Sequence, residues 1–240
     1  MTTDPKSEPS PGADWRLVVA IDGPSSSGKS TVGAEAARRL RYRFCDTGLL
    51  YRAVTWLALD RAVSPDDASS LVPLAAEVAL VSDARGRLRR VSAAGRDVTA
   101  EVRGAAVDRA VSAYSKVPEL RAALVPRQRE LAVTGGIIMA GRDIGTVILP
   151  DADVKIYLDA SAEERARRRA AQRKTRDQSE AGQILVDLIR RDTIDSSRET
   201  APLSVARDAV VIHTDGNTFD QTVAAVVRAI RNAEGRRRGR

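Results

Sequence analysis

The 240-residue chain has one cysteine, one histidine, 3% aromatic residues and only five lysines among its 39 basic residues. The lone cysteine, Cys45, excludes any intramolecular disulfide and any metal site built on cysteine spacing. Its apolar flanks mark it as a packed core residue, and cysteine usage this sparse fits a reducing, cytoplasmic setting. So few aromatics leave no base-stacking stripe, and no specific nucleic-acid partner is expected. No apolar run approaches the roughly 18–20 residues needed to cross a bilayer, so no membrane partner is expected either. The opening "MTTDPKSEPSPGAD" lacks the apolar stretch of a secretory leader, and residues 1–14 are expected to be a disordered tail. Two nucleotide-handling classes also lose support. The only asparagines, Asn217 and Asn232, start no Asn-Lys-x-Asp base reader of a switch GTPase. No apolar strand ends in the carboxylate pair typical of motor ATPases: "GIIMA" ends in Ala140 and "IYLD" offers Asp159 alone.

What is present describes a globular protein, with 43% apolar and 30% charged residues. Of the net charge of +7, four charges sit at Arg236, Arg237, Arg238 and Arg240, so the body is only mildly basic. Residues 235–240 are expected to be a solvated basic tail. Short apolar runs recur between helical stretches: "RLVVAID" (16–22), "RYRFC", "GIIMA" (136–140), "VKIYLD" (154–159) and "AVVIHT" (209–214). Strands alternating with helices predict an α/β fold, a mostly parallel sheet with helices on both faces, joined by right-handed crossovers. Two segments break the rhythm. Residues 77–99 alternate polar and apolar positions with turn signals at 83–86 and 94–95, which predicts a small antiparallel meander. "KTRDQSEAG" (174–182) is polar and reads as a mobile loop.

"GPSSSGKST" (23–31) matches G-x-x-x-x-G-K-[ST] between an apolar strand and a helical stretch. Glycines at both ends let successive amides of Gly23, Pro24, Ser25, Ser26, Ser27, Gly28, Lys29, Ser30 and Thr31 curl round phosphates, apart from the proline, which has no N–H. Lys29 is placed for the β/γ-phosphates of a nucleotide, and the Ser30 hydroxyl for Mg²⁺. A second cation follows at once. "FCDTGLLYR" (44–52) carries Arg52 about one and a half turns into a helix that Thr47 is expected to cap. "GRDIGT" (141–146) adds Arg142 and Asp143 at the same carboxyl edge, where open α/β sheets collect ligands. In "RRDTIDSSR" (190–198), Arg191, Asp195 and Arg198 are spaced four and three apart and are expected to share one helix face. In "RARRRAAQRK", Arg165, Arg168 and Arg169 share a face that a lid would turn toward phosphates, with Arg167 looking elsewhere. His213, inside "VVIHT", is expected to pack at a strand end rather than act as a base.

Together "GPSSSGKST", "DTGLLYR", "GRDIGT", "DVKIYLDASAEERARRR" and "RRDTIDSSRETAPL" resemble the bacterial cytidylate kinases, over roughly residues 15–230. The resemblance implies a single P-loop kinase domain over 15–234, with a monophosphate-binding lobe at about 46–120, enlarged by the meander, and a short lid at about 165–192. It implies transfer of the ATP γ-phosphate to CMP or dCMP with Mg²⁺. By matching positions, Thr47, Arg52, Arg142 and Arg198 would meet the monophosphate. Ser112, Arg121 and Asp143 would read the cytosine edge, and Arg191 and Asp195 would face the sugar. Lys29, Arg52, Arg142, Arg198 and the lid's Arg168 would act on the transferring phosphoryl group. One position departs from the family pattern: Ala140 stands where a carboxylate usually precedes "GRD", removing one member of the metal-water or monophosphate network. Two other readings share the lysine loop. One is a kinase acting on UMP or a nucleoside. The other is a nucleotide-binding, RNA-associated protein using its arginine tail, with little catalysis. With no heptad pattern or apolar stripe, a monomer is expected.

Overall fold

The computed structural model describes residues 16–83, 87–175 and 177–239. The expected N-terminal tail and the centre of the 83–86 turn lie outside these residues. Each apolar run forms a strand: β1 (Val18–Asp22), β2 (Arg43–Asp46), β6 (Ile137–Ala140), β7 (Val154–Asp159) and β8 (Val210–His213). These five are parallel in the order β2-β6-β1-β7-β8. β1 and β6 are central and covered on both faces, which is why they read as continuous apolar runs rather than alternating ones.

Helix α1 (Lys29–Leu40) and the long α8 (Phe219–Arg238) cover one face, where Val19 and Ile21 pack with Val32, Val223 and Ile230. On the other face Ala20, Met139, Cys45 and Ile144 form a second core with Ala132 of α5 (Pro118–Ala132). Burial there pushes the Cys45 thiol pKa up, as expected of an inert core thiol. A third core joins α2 (Gly48–Asp60), α3 (Ala68–Leu74), α4 (Ala105–Ser115) and α5 to the meander. No described helix is long and apolar enough to cross a membrane.

The meander at 77–99 is present as β3 (Val78–Ser82), β4 (Arg87–Ala93) and β5 (Arg96–Asp97), paired antiparallel. It is not a detached insert. β4 also pairs parallel with β2, Phe44 beside Arg87 and Cys45 beside Leu88, so the meander extends the main sheet.

Three expectations are corrected. The segment from 235 is solvated through residue 239, as expected, but is not a loose tail: α8 continues to Arg238, and Arg237 pairs with Asp153 at 3.0 Å. Cations in a last helical turn complement the helix dipole, which favours continuing the helix there. The loop expected over 174–182 is shorter, because α6 (Ala162–Arg173) is followed by α7 (Gln178–Ser196), started by the Asp177 carboxylate accepting from the Ser179 amide. Finally, His213 does not pack. It stands exposed on the edge strand β8, with Nδ1 3.4 Å from an Asp159 oxygen.

Candidate active site

The segment after β1 turns so tightly that Gly23 has φ +146°, and a Cβ there would lie 2.1 Å from the Leu158 carbonyl oxygen. Only glycine fits. Gly28, at φ +97°, then stands at the N-cap of α1. Lys29 is buried inside this loop, its Nζ donating to the Pro24 carbonyl at 2.6 Å and to Ser27 Oγ at 3.3 Å. Burial, then the neighbouring Arg142, push the Lys29 pKa well below the usual lysine value, against the opposing pull of Asp46, Asp22 and Asp192. Thr31 Oγ1 closes on the Gly28 carbonyl at 3.0 Å. Ser30 Oγ donates to Asp46 Oδ2 at 2.7 Å, which puts a hydroxyl and a carboxylate side by side at the carboxyl edge of the sheet. Both are hard oxygen donors of the type Mg²⁺ takes.

Asp22 ends β1 and ties the loop to the next motif. Its carboxylate accepts from the amides of Ile144 at 2.8 Å and Gly145 at 2.7 Å. Those amides open a π-helical turn (Ile144–Ile148), a form that accumulates at functional sites. Burial raises the Asp22 pKa to about 6, despite the two amides that favour the charged form. Asp22→Asn keeps one acceptor but turns an N–H₂ toward the second amide and has no proton to release. Wild-type stability relative to Asp22→Asn is therefore expected to fall by about 2 kcal/mol as pH rises from 3.8 to about 6. The sign follows because the unfolded chain gives up this proton near 3.8 while the folded protein holds it to about 6. Denaturant unfolding of both proteins across that range measures it.

Beside the loop stands a set of guanidinium groups, each oriented by an oxygen. Arg142 Nη2 donates to Ser25 Oγ at 3.1 Å, and its Nε donates to Asp195 at 2.9 Å. Arg198 donates to the other oxygen of Asp195 and to Ser115 Oγ at 2.9 Å. Burial pushes the Asp195 pKa up, but Arg142 and Arg198 outweigh it, and the group lies below the usual carboxylate value. Arg121 donates to Asp143 and to the Ser115 carbonyl at 3.1 Å, while its guanidinium lies 5.2 Å from the Tyr51 ring centre. Both partners of the Arg121–Asp143 pair are buried. Nearby, Ser112 Oγ and the Nε atoms of Arg121, Arg191 and Arg198 are buried without a hydrogen-bond partner. Such groups are costly in a folded protein unless a ligand uses them. Arg52 lies further along α2, donating to the Val102 carbonyl at 2.9 Å and to Asp108 at 2.7 Å. Arg191 is pushed down to about 10 by burial and by Arg142 and Arg52, with Asp108 and Asp195 resisting.

The structure therefore brings Arg142, Arg198 and Asp195 to the edge of the 23–31 loop, and pairs Arg121 with Asp143 beside Ser112. It revises three expectations. Thr47 sits at the N-cap position of α2, but its hydroxyl makes no cap bond. Oγ1 and the amide both reach the Ala140 carbonyl instead, at 2.9 and 3.1 Å, because that carbonyl lies on the neighbouring strand end. Helix α7 ends at Ser196, so Arg198 folds back onto Asp195 from beyond the helix rather than along one face. Arg168 does not face the phosphate loop: it binds Glu164 at 2.7 Å and the Thr214 hydroxyl and carbonyl at 2.8 and 2.6 Å. Its neighbour one turn back takes that place. Arg165 donates to the Ser25 carbonyl at 3.1 Å and to Asp192 at 2.5 Å, while Asp192 accepts the Ser25 amide at 3.3 Å. Arg169 points elsewhere, to Asp108, and the exposed Arg167 pairs with Glu164.

The cations of the site stand in short motifs, whereas four of the anions that aim them, Asp22, Asp46, Asp108 and Asp192, are not marked out by those motifs. For two of these a signal existed, since Asp22 and Asp46 each end an apolar run just before a glycine turn.

The model of the Cytidylate kinase family matches residues 19–232. The cytidylate kinase of Geobacillus sp. (strain WCH70) is 44% identical over 220 residues, 90% of this chain and 97% of that protein. That of Mycolicibacterium paratuberculosis (strain ATCC BAA-968 / K-10) is 46% identical over 220 residues, covering 90% and 94%. A family model spanning nearly the whole described chain, relatives at this identity, and a lysine loop joined to an arginine set by Arg142 agree: this chain belongs to the cytidylate kinase family.

Proposed function

We propose that this enzyme transfers the γ-phosphate of ATP to CMP or dCMP, giving ADP and CDP or dCDP, a step of pyrimidine nucleotide metabolism in the cytoplasm. The observation that carries the reading is Arg142, one guanidinium that reaches Ser25 in the lysine loop and Asp195 in the arginine set. Two anion cradles joined by one side chain suit a donor phosphate facing an acceptor phosphate. The amides of residues 23–31 and Lys29 hold the donor. Arg52, Arg142 and Arg198, with Thr47 at the strand end, hold the acceptor. An ionised phosphate oxygen of CMP attacks the γ-phosphorus, the bond to the β,γ-bridging oxygen breaks, and ADP leaves. The nucleophile is already largely ionised near neutral pH, so no base is required and His213 has no part. Alignment and charge cancellation do the chemistry. Ser30 with Asp46 would hold Mg²⁺, which would supply neutralisation of charge on the transferring phosphate. Arg165, rather than Arg168, is the lid arginine that accompanies the donor loop, and closing the lid excludes water.

Asp143, Arg121 and Ser112 read the base. Cytosine presents a donor at N4 and acceptors at N3 and O2, which suits a carboxylate beside an arginine and a hydroxyl. Arg191 and Asp195 flank the sugar. Uracil reverses the pattern at positions 3 and 4 and sets a carbonyl against a buried carboxylate, a mismatch of about 1–3 kcal/mol. ADP release measured with CMP, dCMP, UMP and AMP tests this. CMP is expected to exceed UMP in kcat/KM by roughly 5- to 150-fold, and equal turnover of the two would remove Asp143 from base recognition. With no second chain required by either cradle, the enzyme acts as a monomer.

A further inference from the structure

One buried carboxylate has no place in the reaction just described. Asp108, in α4, is 6% exposed. It receives Arg52 at 2.7 Å on one oxygen and Arg169 and Arg173 on the other, Arg173 at 2.7 Å, while Arg191 stands 3.9 Å away. Its partners come from α2, α6 and α7: three hydrogen bonds from Arg52, Arg169 and Arg173, with Arg191 adding charge at ion-pair distance.

We infer that Asp108 is a positioning residue that docks the C-terminal half of lid helix α6 onto the acceptor side and fixes the guanidinium of Arg52. The inference rests on the CMP kinase reading above. The rest of α6 has its own anchors: Arg165 to the Ser25 carbonyl and Asp192, and Arg168 to Thr214. Past Arg168, Ala170 packs against the Ile184 and Leu188 cluster of α7, and the polar ties of α6 to the acceptor side among the described residues are Arg169 and Arg173 on Asp108. Arg190 adds one longer bond from α7 to the Arg109 carbonyl, at 3.4 Å. Arg52 spends two of its five N–H donors on Val102 and Asp108, leaving three for an acceptor phosphate. Asp108 thus orients Arg52 without exhausting it. Without the carboxylate, four guanidinium groups would face one another with no anion between them, two of them largely out of water where repulsion is poorly screened. Burial pushes the Asp108 pKa up, but these arginines bring it down to about 2, so the anion is present throughout the working pH range.

Asp108→Asn, near in shape and uncharged, separates positioning from packing. It is expected to lower kcat for CMP about 10- to 100-fold while KM for ATP stays within about threefold. ATP hydrolysis without CMP is expected to rise relative to transfer, because the lid no longer excludes water. Asp108→Glu restores the charge and is expected to recover most of the coupling. The Arg169→Ala/Arg173→Ala double variant, which leaves α4 intact should Asp108→Asn fail to fold, is expected to show the same rise in hydrolysis over transfer. Adding Asp108→Asn to it should cost little more. Transfer within twofold of wild type and an unchanged hydrolysis ratio in either variant would overturn the inference. So would a lowered melting temperature with an unchanged ratio, the mark of a purely structural role. Wild-type enzyme without CMP-stimulated ADP release would instead defeat the CMP kinase reading itself.

Discussion

Arg52→Ala is expected to reduce kcat/KM for CMP by about 10³ while leaving ATP affinity within about twofold. Arg52 sits on α2 and makes its bonds to Val102 and Asp108; none of them reaches the 23–31 loop. The donor cradle is built from main-chain amides and Lys29, so truncating a side chain on α2 does not disturb it. The acceptor phosphate, by contrast, loses one of three guanidinium groups that neutralise it as negative charge spreads over the transferring group. A charge-assisted contact that strengthens in the transition state carries rate as well as affinity. Steady-state ADP release with varied CMP, alongside equilibrium titration with ATP, separates the two cradles. A parallel loss of ATP affinity would move Arg52 to the donor side.

Lys29→Met is expected to act in opposite directions on activity and stability. Transfer should fall by about 10³ or more, because the cation that tracks the γ-phosphate is lost from a site where electrostatic stabilisation is the main catalytic term. The ligand-free protein should melt about 2–4 °C higher, the shift that roughly 1 kcal/mol produces in a domain of this size. Burial and Arg142 already hold the Lys29 pKa well below its usual value, so its charged form is unfavourable without a phosphate beside it. Methionine keeps the length and the apolar stem. The Pro24 carbonyl loses the Nζ donor at 2.6 Å but keeps the Ser27 amide at 3.4 Å. Thermal melts with and without ATP measure this, and a lower melting temperature in the ligand-free variant would contradict it. Stability set aside for function is a common feature of binding sites.

The parallel sheet was legible because its central strands are apolar on both faces and end in glycine turns or charged loops. The lysine loop was legible because its spacing, its preceding strand and its following helix all agreed. The meander's alternation was also visible. Its attachment to β2 was not, since two residue pairs, Phe44 with Arg87 and Cys45 with Leu88, leave no periodic trace. The site divides along a similar line. Arginines clustered in short motifs announced themselves, whereas Asp108 lies 56 and 61 residues from Arg52 and Arg169, so no local motif joins it to them. Arg165 and Arg168 lie one helical turn apart, and sequence spacing could not decide which of them would turn toward Ser25. Thr47 had the residue type of a cap. The nearby Ala140 carbonyl, supplied by a strand 93 residues on, gave its hydroxyl another acceptor.

The parallel contact between β4 and β2 bears on how this protein tolerates trimming. Residues 77–99 lie at one end of the main sheet and look expendable. Cutting them away would strip the neighbour from Phe44 and Cys45, turning an interior strand into a raw margin of unpaired amides and carbonyls flanked by apolar side chains. The meander therefore serves as a hem: whatever it lends to nucleotide recognition, it also keeps one copy of the chain from stitching itself to the next.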